Sequence, residues 1–353
     1  MRALTLMALV GLAGLAVPPA DAADRVARFR ALGLAHGAAE AGDPAAAAGL
    51  ADELLALVDA EVLDSLRTGG PFASAAFVRE QLEALGSAWG GMSLGLVAAG
   101  RRDPAAPLVA VLGLAGATPL GSVRVYGGRG EDARLVAATT HPGRPEAHAW
   151  PAGPDGAARL AVSWTGAGAP HTGHRLWLEI WRLGGAAGAE PLWRSAEVFP
   201  AGLAATGVRV RPGEITIRYA ASYEGWRAGC AEQTEHEDVF RGTTAGAGLR
   251  LASRRVLNPW HRELHEALGR FFRALGAGDR RALATLVPDP RVRDRLPARL
   301  AAEGACDQRE PAGTGAALVA ATEAHGDGLH AWSLRWVRRS GAWQLTAATP
   351  VLQ

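Results

Sequence analysis

Leu108-Val109-Ala110-Val111-Leu112 decides the architecture, because it returns twice along the chain. Leu160-Ala161-Val162-Ser163-Trp164 echoes it, and Ile215-Thr216-Ile217-Arg218-Tyr219 echoes it again, at offsets of about 50 to 60 residues. Two further runs follow each copy. Val123-Arg124-Val125-Tyr126 corresponds to Leu178-Glu179-Ile180-Trp181 and to Asp238-Val239-Phe240-Arg241. Arg134-Leu135-Val136-Ala137 corresponds to Pro191-Leu192-Trp193-Arg194 and to Leu249-Arg250-Leu251-Ala252. Short apolar runs punctuated by Gly, Pro and Asp read as strands, so residues 92–256 are expected to form an antiparallel β domain of about three repeat units. Repeats on this scale build propeller-like blades. Three are too few for an ordinary closed propeller, and a β-sandwich fits the same rhythm.

On the N-terminal side the period changes from that of strands to that of helices. Asp43-Pro44 is an N-cap followed by proline at the first helical position, and Leu54, Leu55, Val58, Val62 and Leu66 then keep helical spacing until Gly69-Gly70. Ser74 caps a second amphipathic segment with Phe77, Val78, Leu82, Leu85 and Trp89 in its stripe, ended by Gly90-Gly91. A weaker helix precedes both, around Val26, Phe29 and Leu32. Residues 23–91 are therefore a helical segment whose apolar stripes need a partner.

On the C-terminal side helices return at Pro259. Trp260, Leu264, Leu268, Phe271 and Leu275 form one stripe, and Asp279 caps a short helix through Leu283 and Leu286. A third helical piece is expected over about Val292 to Glu303, interrupted by Pro297. Three strands close the chain, Ala316–Thr322, Leu329–Arg338 and Trp343–Thr349, the last two joined by the hairpin turn Arg339-Ser340-Gly341-Ala342. Helices followed by an antiparallel sheet that carries Trp332-Ser333-Leu334-Arg335-Trp336 and Ala342-Trp343-Gln344-Leu345 resemble the nuclear transport factor two-like (SnoaL-like) cone. The resemblance covers residues 257–353 only. It implies a cone used as a small-molecule pocket, for catalysis or for protein contacts, with His330, Trp332, Leu334 and Trp336 on its concave face. The whole chain thus reads as a multidomain α+β protein.

Residues 1–22 have the order of a cleavable signal peptide: Arg2, an apolar stretch from Ala3 to Val17, then Pro18-Pro19 and Ala20-Asp21-Ala22. No later segment offers about 18 uncharged apolar residues, so no stable membrane insertion is expected after cleavage. The expected location is the periplasm or the medium of a bacterium. In such an oxidising compartment the 2 cysteines, Cys230 and Cys306, can form a disulfide.

Composition excludes several chemistries. All 37 basic residues are arginine, so Schiff-base chemistry, pyridoxal phosphate attachment and a P-loop lysine have no amine to use. No Cys-x-x-Cys-His haem c attachment site, Gly-x-Ser-x-Gly elbow or dinucleotide fingerprint is present. A net charge of +2, with acidic residues interleaved among the arginines, lacks the one-sided basic face that nucleic acid requires.

Five groups of residues could carry function. His261 and His265 lie one helical turn apart and can share a metal, although Arg262 stands where a zinc protease has its glutamate. The polar stretch Ala220–Gly242, read as an extended loop, holds Tyr223, Trp226, Cys230, Glu235, His236 and Asp238, with Glu235, His236 and Asp238 as a candidate cation cluster and Trp226 as a candidate ligand contact. Trp177 and Trp181 flank Glu179 on one strand face, a sugar-stacking platform if exposed and core if buried. His330 and Trp332 would line the cone. His171 and His174 form a further loop pair.

No assembled catalytic set emerges. The reading that follows is an exported, non-enzymatic binding or interaction protein of the bacterial envelope, with an envelope protein, a glycan or a small molecule as partner. A metal-dependent hydrolase or small-molecule enzyme, and glycan or cell-wall binding through the tryptophan strands, are the alternatives.

Overall fold

The structure, a computed structural model, describes residues 20–98, 106–169, 173–184, 188–242, 248–310, 315–325 and 328–351. Most of the expected signal peptide, and His171, lie outside these residues. Among the described residues seven helices and seventeen strands form three antiparallel sheets, an α+β protein. None of the helices is long and apolar enough to cross a membrane. The chain divides into two compact units, Met1–Pro145 with Gly184–Ala189, and Glu146–Leu183 with Glu190–Gln353.

The first unit holds helices α1 (Ala20–Ala39), α2 (Pro44–Thr68) and α3 (Ala75–Trp89) and strands β1 (Met92–Ala98), β2 (Leu108–Leu114), β3 (Leu120–Gly127) and β4 (Arg134–Pro142). The expected caps form. Asp43 Oδ1 accepts from the Ala45 and Ala46 N–H groups at 3.1 and 3.0 Å, and Ser74 Oγ accepts from Phe77 N–H at 3.2 Å. The strands make a four-stranded meander in chain order. Leu54, Val58, Val62 and Leu66 of α2 and Leu82 and Leu85 of α3 share one core with Leu108, Ala110, Leu112 and Leu114 of β2. The helical stripes thus find their partner in the first β repeat, and each fully buried leucine contributes roughly 1.5–3 kcal/mol.

One polar group crosses this core. Asp59 on α2 receives both arms of the Arg124 guanidinium and, at 2.7 Å, the Tyr126 hydroxyl. Arg124 and Tyr126 are two apart on β3, so the strand's period puts both on the helix side. Burial, and next Asp59, pushes the Tyr126 phenol far above its ordinary range.

The second unit contains β5 (Arg144–Trp150), β6 (Ala158–Ala169), β7 (Gly173–Leu183), β8 (Ala189–Arg194), a short α4 (Ser195–Val198), β9 (Ala204–Arg211), β10 (Glu214–Ala220), β11 (Glu235–Gly242) and β12 (Leu249–Leu257). Each echoed run is a strand, but the second and third repeats do not form separate blades. They merge into one eight-stranded sheet in the order β12-β11-β10-β9-β7-β6-β5, with β8 also on β7. Strand β9 is the reason: it pairs along β10 and reaches the start of β7 through His174–Ala205 and Arg175–Ala204.

The same unit ends with α5 (Pro259–Ala277), α6 (Arg280–Leu286), α7 (Pro290–Arg293) and the sheet β13 (Leu300–Ala302), β14 (Gln308–Arg309), β15 (Ala316–His325), β16 (Gly328–Arg339) and β17 (Ala342–Pro350). The third expected helix shortens to α7, and Leu300–Ala302 turns into strand pairing with β15. The β16–β17 turn is as expected, with Ser340 at φ 47° and Gly341 at φ 82°, the two positive φ values of a tight hairpin. Trp260, Leu264, Leu268 and Phe271 of α5 pack on Leu334, Trp336, Trp343 and Leu345.

Candidate functional site

The loop between β10 and β11 is held from several sides. A disulfide joins Cys230 to Cys306, with their Cα atoms 5.4 Å apart. Gln233 closes the loop from within, accepting from Arg227 N–H at 2.7 Å and donating to the Cys230 carbonyl at 2.9 Å. Thr234, fully buried, ties the loop to α5: its hydroxyl donates to the Asn258 carbonyl at 2.7 Å and accepts from Arg262 N–H at 3.1 Å. Asn258, the one asparagine in the chain, takes a left-handed φ of 48° before Pro259 and donates to the Gln233 carbonyl at 3.3 Å.

These ties bring four side chains together. His261 and His265, on the first turns of α5, stack at 4.6 Å between ring centroids. Asp307, beside Cys306, offers one oxygen to both: Oδ2 lies 3.2 Å from His261 Nε2 and 2.6 Å from His265 Nε2. The Tyr223 hydroxyl sits 2.6 Å from His261 Nδ1 and accepts from Thr234 N–H at 3.1 Å. Gly225, at φ 92°, lets the loop backbone close over the His265 ring where any side chain would collide with it. The side chains of His261, His265 and Asp307 are 3, 12 and 7 % exposed. Burial disfavours the charged carboxylate of Asp307, but the hydrogen bonds from the two imidazoles outweigh it and hold its carboxyl down at about 2. Burial pushes the Tyr223 phenol up.

No protein-family model matches this chain, and no curated protein matches it. The site therefore has to be understood from its own chemistry.

The same loop borders a cavity of about 410 Å³. Trp226, Gln233 and Glu235 line it together with His174, Arg218 and Asn258. Arg218 reaches Glu235 at 3.5 Å, so the wall carries a charge pair, amides and an indole.

The other sequence candidates are placed differently. Residues 235–242 are strand β11, so Glu235 and His236 fall on opposite faces and the expected cation cluster does not assemble. Glu235 and Glu237 turn to Arg218, at 3.5 and 3.8 Å. Asp238 turns the other way, fully buried between the Arg254 guanidinium, at 2.7 and 2.8 Å, and the Tyr219 hydroxyl at 2.9 Å. His236 stacks edge-on against Tyr219, and burial followed by the Arg254 charge lowers its pKa. Trp181 is buried and its indole N–H donates to Glu179 at 2.9 Å, which leaves Trp177 half-buried and no open two-indole platform. On β16 the face shared by Leu334 and Trp336 is filled core, His330 is exposed at the strand's start, and Trp332 donates to Glu323 at 3.1 Å. Neither His330 nor Trp332 lines the groove of about 590 Å³ beside α5 and α6. Asp307 is the functional candidate that sequence reading passes over; its only signal is its position next to Cys306.

Proposed function

We propose that this is an exported binding protein of the bacterial envelope that takes a small polar ligand, of carbohydrate type, in the cavity bordered by the disulfide-tied loop. The cavity carries this reading. An indole offers a flat apolar face to a sugar ring, while a carboxylate, a guanidinium and amides offer partners to its hydroxyls. Its volume of about 410 Å³ suits a small ligand. The loop that supplies Trp226 is tied by a covalent bond and by buried hydrogen bonds, so little ordering is required when a ligand arrives. The signal-like residues 1–22 and the disulfide support export. The helix-then-sheet order after Pro259 supports the cone-like reading of residues 257–353, with the cone serving here as a packed support rather than as the pocket.

Calorimetric titration of the mature protein with soluble peptidoglycan fragments and with a panel of neutral and acidic sugars tests the reading. Binding of one class that is lost in Trp226→Ala and weakened in Glu235→Gln, with unchanged circular dichroism, is the expected result. Turnover of the titrated compound, abolished by replacing a cavity residue, would replace the binding role with an enzymatic one. Equal binding by Trp226→Ala would remove the cavity from the account.

A further inference from the structure

We propose that His261, His265 and Asp307 form a binding site for a divalent first-row transition-metal ion, held by Nε2 of each imidazole and Oδ2 of the carboxylate. The site stands apart from the ligand of the cavity, and either can fail without the other.

The donor atoms converge. One ligand atom from each of the three residues lies within 4.8 Å of the others, and among the described residues no other group of three histidine, cysteine, aspartate or glutamate side chains does this. The helical spacing of His261 and His265 supplies two donors from one face, and the third arrives from 42 residues further along the chain. Competing clusters are consumed: Asp238 is fully engaged by Arg254 and Tyr219, and Glu235 and Glu237 face Arg218.

Asp307 Oδ2 is shared by both imidazoles. Without a metal, each Nε2 must bring a proton to the same Oδ2, which crowds two donors on one atom within a nearly closed site. A single divalent ion satisfies the same three lone pairs at once. Two coordinate bonds form from the Nε2 lone pairs and the third from an Oδ2 lone pair of the carboxylate, so a proton resident on either Nε2 leaves for solvent or moves to Nδ1, and no electron transfer is involved.

Tyr223 stands behind one of the imidazoles. A metal on Nε2 of His261 leaves the ring proton on Nδ1, where it needs an acceptor. The Tyr223 oxygen is 2.6 Å away and uses only one lone pair for the Thr234 N–H, so it can accept this proton. Two imidazoles with one carboxylate favour zinc, copper, nickel or cobalt over magnesium or calcium, whose ligands are oxygens. Three protein ligands leave room for water.

The test uses mature protein purified without chelator and without affinity histidines. Equilibrium dialysis against zinc, followed by elemental analysis, is expected to give one zinc per chain. His265→Gln and Asp307→Asn should each weaken binding by more than about 100-fold, and Tyr223→Phe by about 10-fold, since outer-shell changes typically cost 10- to 100-fold. His141→Gln, on β4, should leave it unchanged. Cobalt(II) should develop visible absorption bands that disappear in Asp307→Asn. Should His265→Gln fail to fold, the wild-type protein still decides, because zinc must raise its unfolding temperature. Absence of zinc uptake and of a thermal shift at about 100 μM zinc, or uptake that survives Asp307→Asn, overturns the proposal.

Discussion

Two largely shielded carboxylates, Asp59 in the first unit and Asp307 in the second, face the same physical problem and are neutralised differently. Asp59 is gripped by the Arg124 guanidinium, which stays charged at every relevant pH, with the Tyr126 hydroxyl completing the set. Asp307 is gripped by two imidazoles that can gain a proton, lose one or coordinate a metal, with Tyr223 behind one of them. The first arrangement is closed: it pins α2 to β3 and offers nothing to a ligand. The second can exchange its protons for something else, and this difference, rather than burial or the number of partners, separates a structural carboxylate from a functional candidate.

The largest effect should come from breaking the closed network. Arg124→Met leaves the Asp59 charge without its cation at a site where its side chain is only 16 % exposed and Tyr126 alone still donates to it; breaking such a shielded pair typically costs about 3–5 kcal/mol. Urea unfolding should show this loss in the transition of the first unit, and Arg124→Met/Asp59→Leu should recover most of it. A loss below about 1 kcal/mol would mean that Asp59 is well solvated there, and the comparison would break.

Next in size is the disulfide. Cys230 and Cys306 are separated by 76 residues, and loop-closure entropy for a loop of that length is on the order of 4 kcal/mol, less any strain in the folded state. Cys230→Ser/Cys306→Ser should lower the stability of the second unit by at least about 2 kcal/mol. It should also weaken zinc binding, because Asp307 is held next to Cys306. Unaltered zinc affinity in this variant would show that the carboxylate is positioned without the bond.

Local signals were legible in the sequence, and non-local pairings were not. Asp43, Ser74 and the Ser340-Gly341 turn act within a few residues of themselves, so their caps and positive φ values could be anticipated. The second half of β11, Asp238-Val239-Phe240-Arg241, was legible as a repeated run, but its first half was hidden because Glu235-His236-Glu237 reads as loop until Arg218 and Arg255 are seen to supply its countercharges from β10 and β12. Asp307 was hidden for the same reason on a longer scale, since only the disulfide and the β10–β11 loop bring it to α5. Merging of the second and third repeats rests on a two-residue pairing of β7 with β9, which no strand rhythm contains.

Acid sharpens the comparison at intermediate size. The Asp307 carboxyl is held at about 2, below the roughly 3.9 of an unfolded aspartate, so the folded state binds fewer protons between these values. The stability it contributes is complete above pH 4 and is lost as the pH falls through about 2; for a shift of this size it is on the order of 2 kcal/mol. His261 and His265 face it from α5 and Tyr223 from the loop. Denaturant unfolding of the second unit between pH 5 and pH 2.5 should therefore fall more steeply in the wild type than in Asp307→Asn. Parallel profiles would show that the imidazoles do not hold the carboxylate ionised.

The smallest effects make the cleanest comparison, because the two tyrosines can be shortened by the same atom. Tyr126→Phe removes a donor from Asp59, and Tyr223→Phe removes the group beside His261 Nδ1 together with an acceptor of the Thr234 N–H. Each should cost about 0.5–1.5 kcal/mol of stability without metal, the usual net worth of a hydrogen bond. With zinc present the two should part: Tyr126→Phe keeps the full thermal shift of the wild type, while Tyr223→Phe loses part of it because the ring it supports binds metal less well. Equal shifts in both variants would place Tyr223 in the same structural role as Tyr126, and the second carboxylate would then differ from the first only in the identity of its cations.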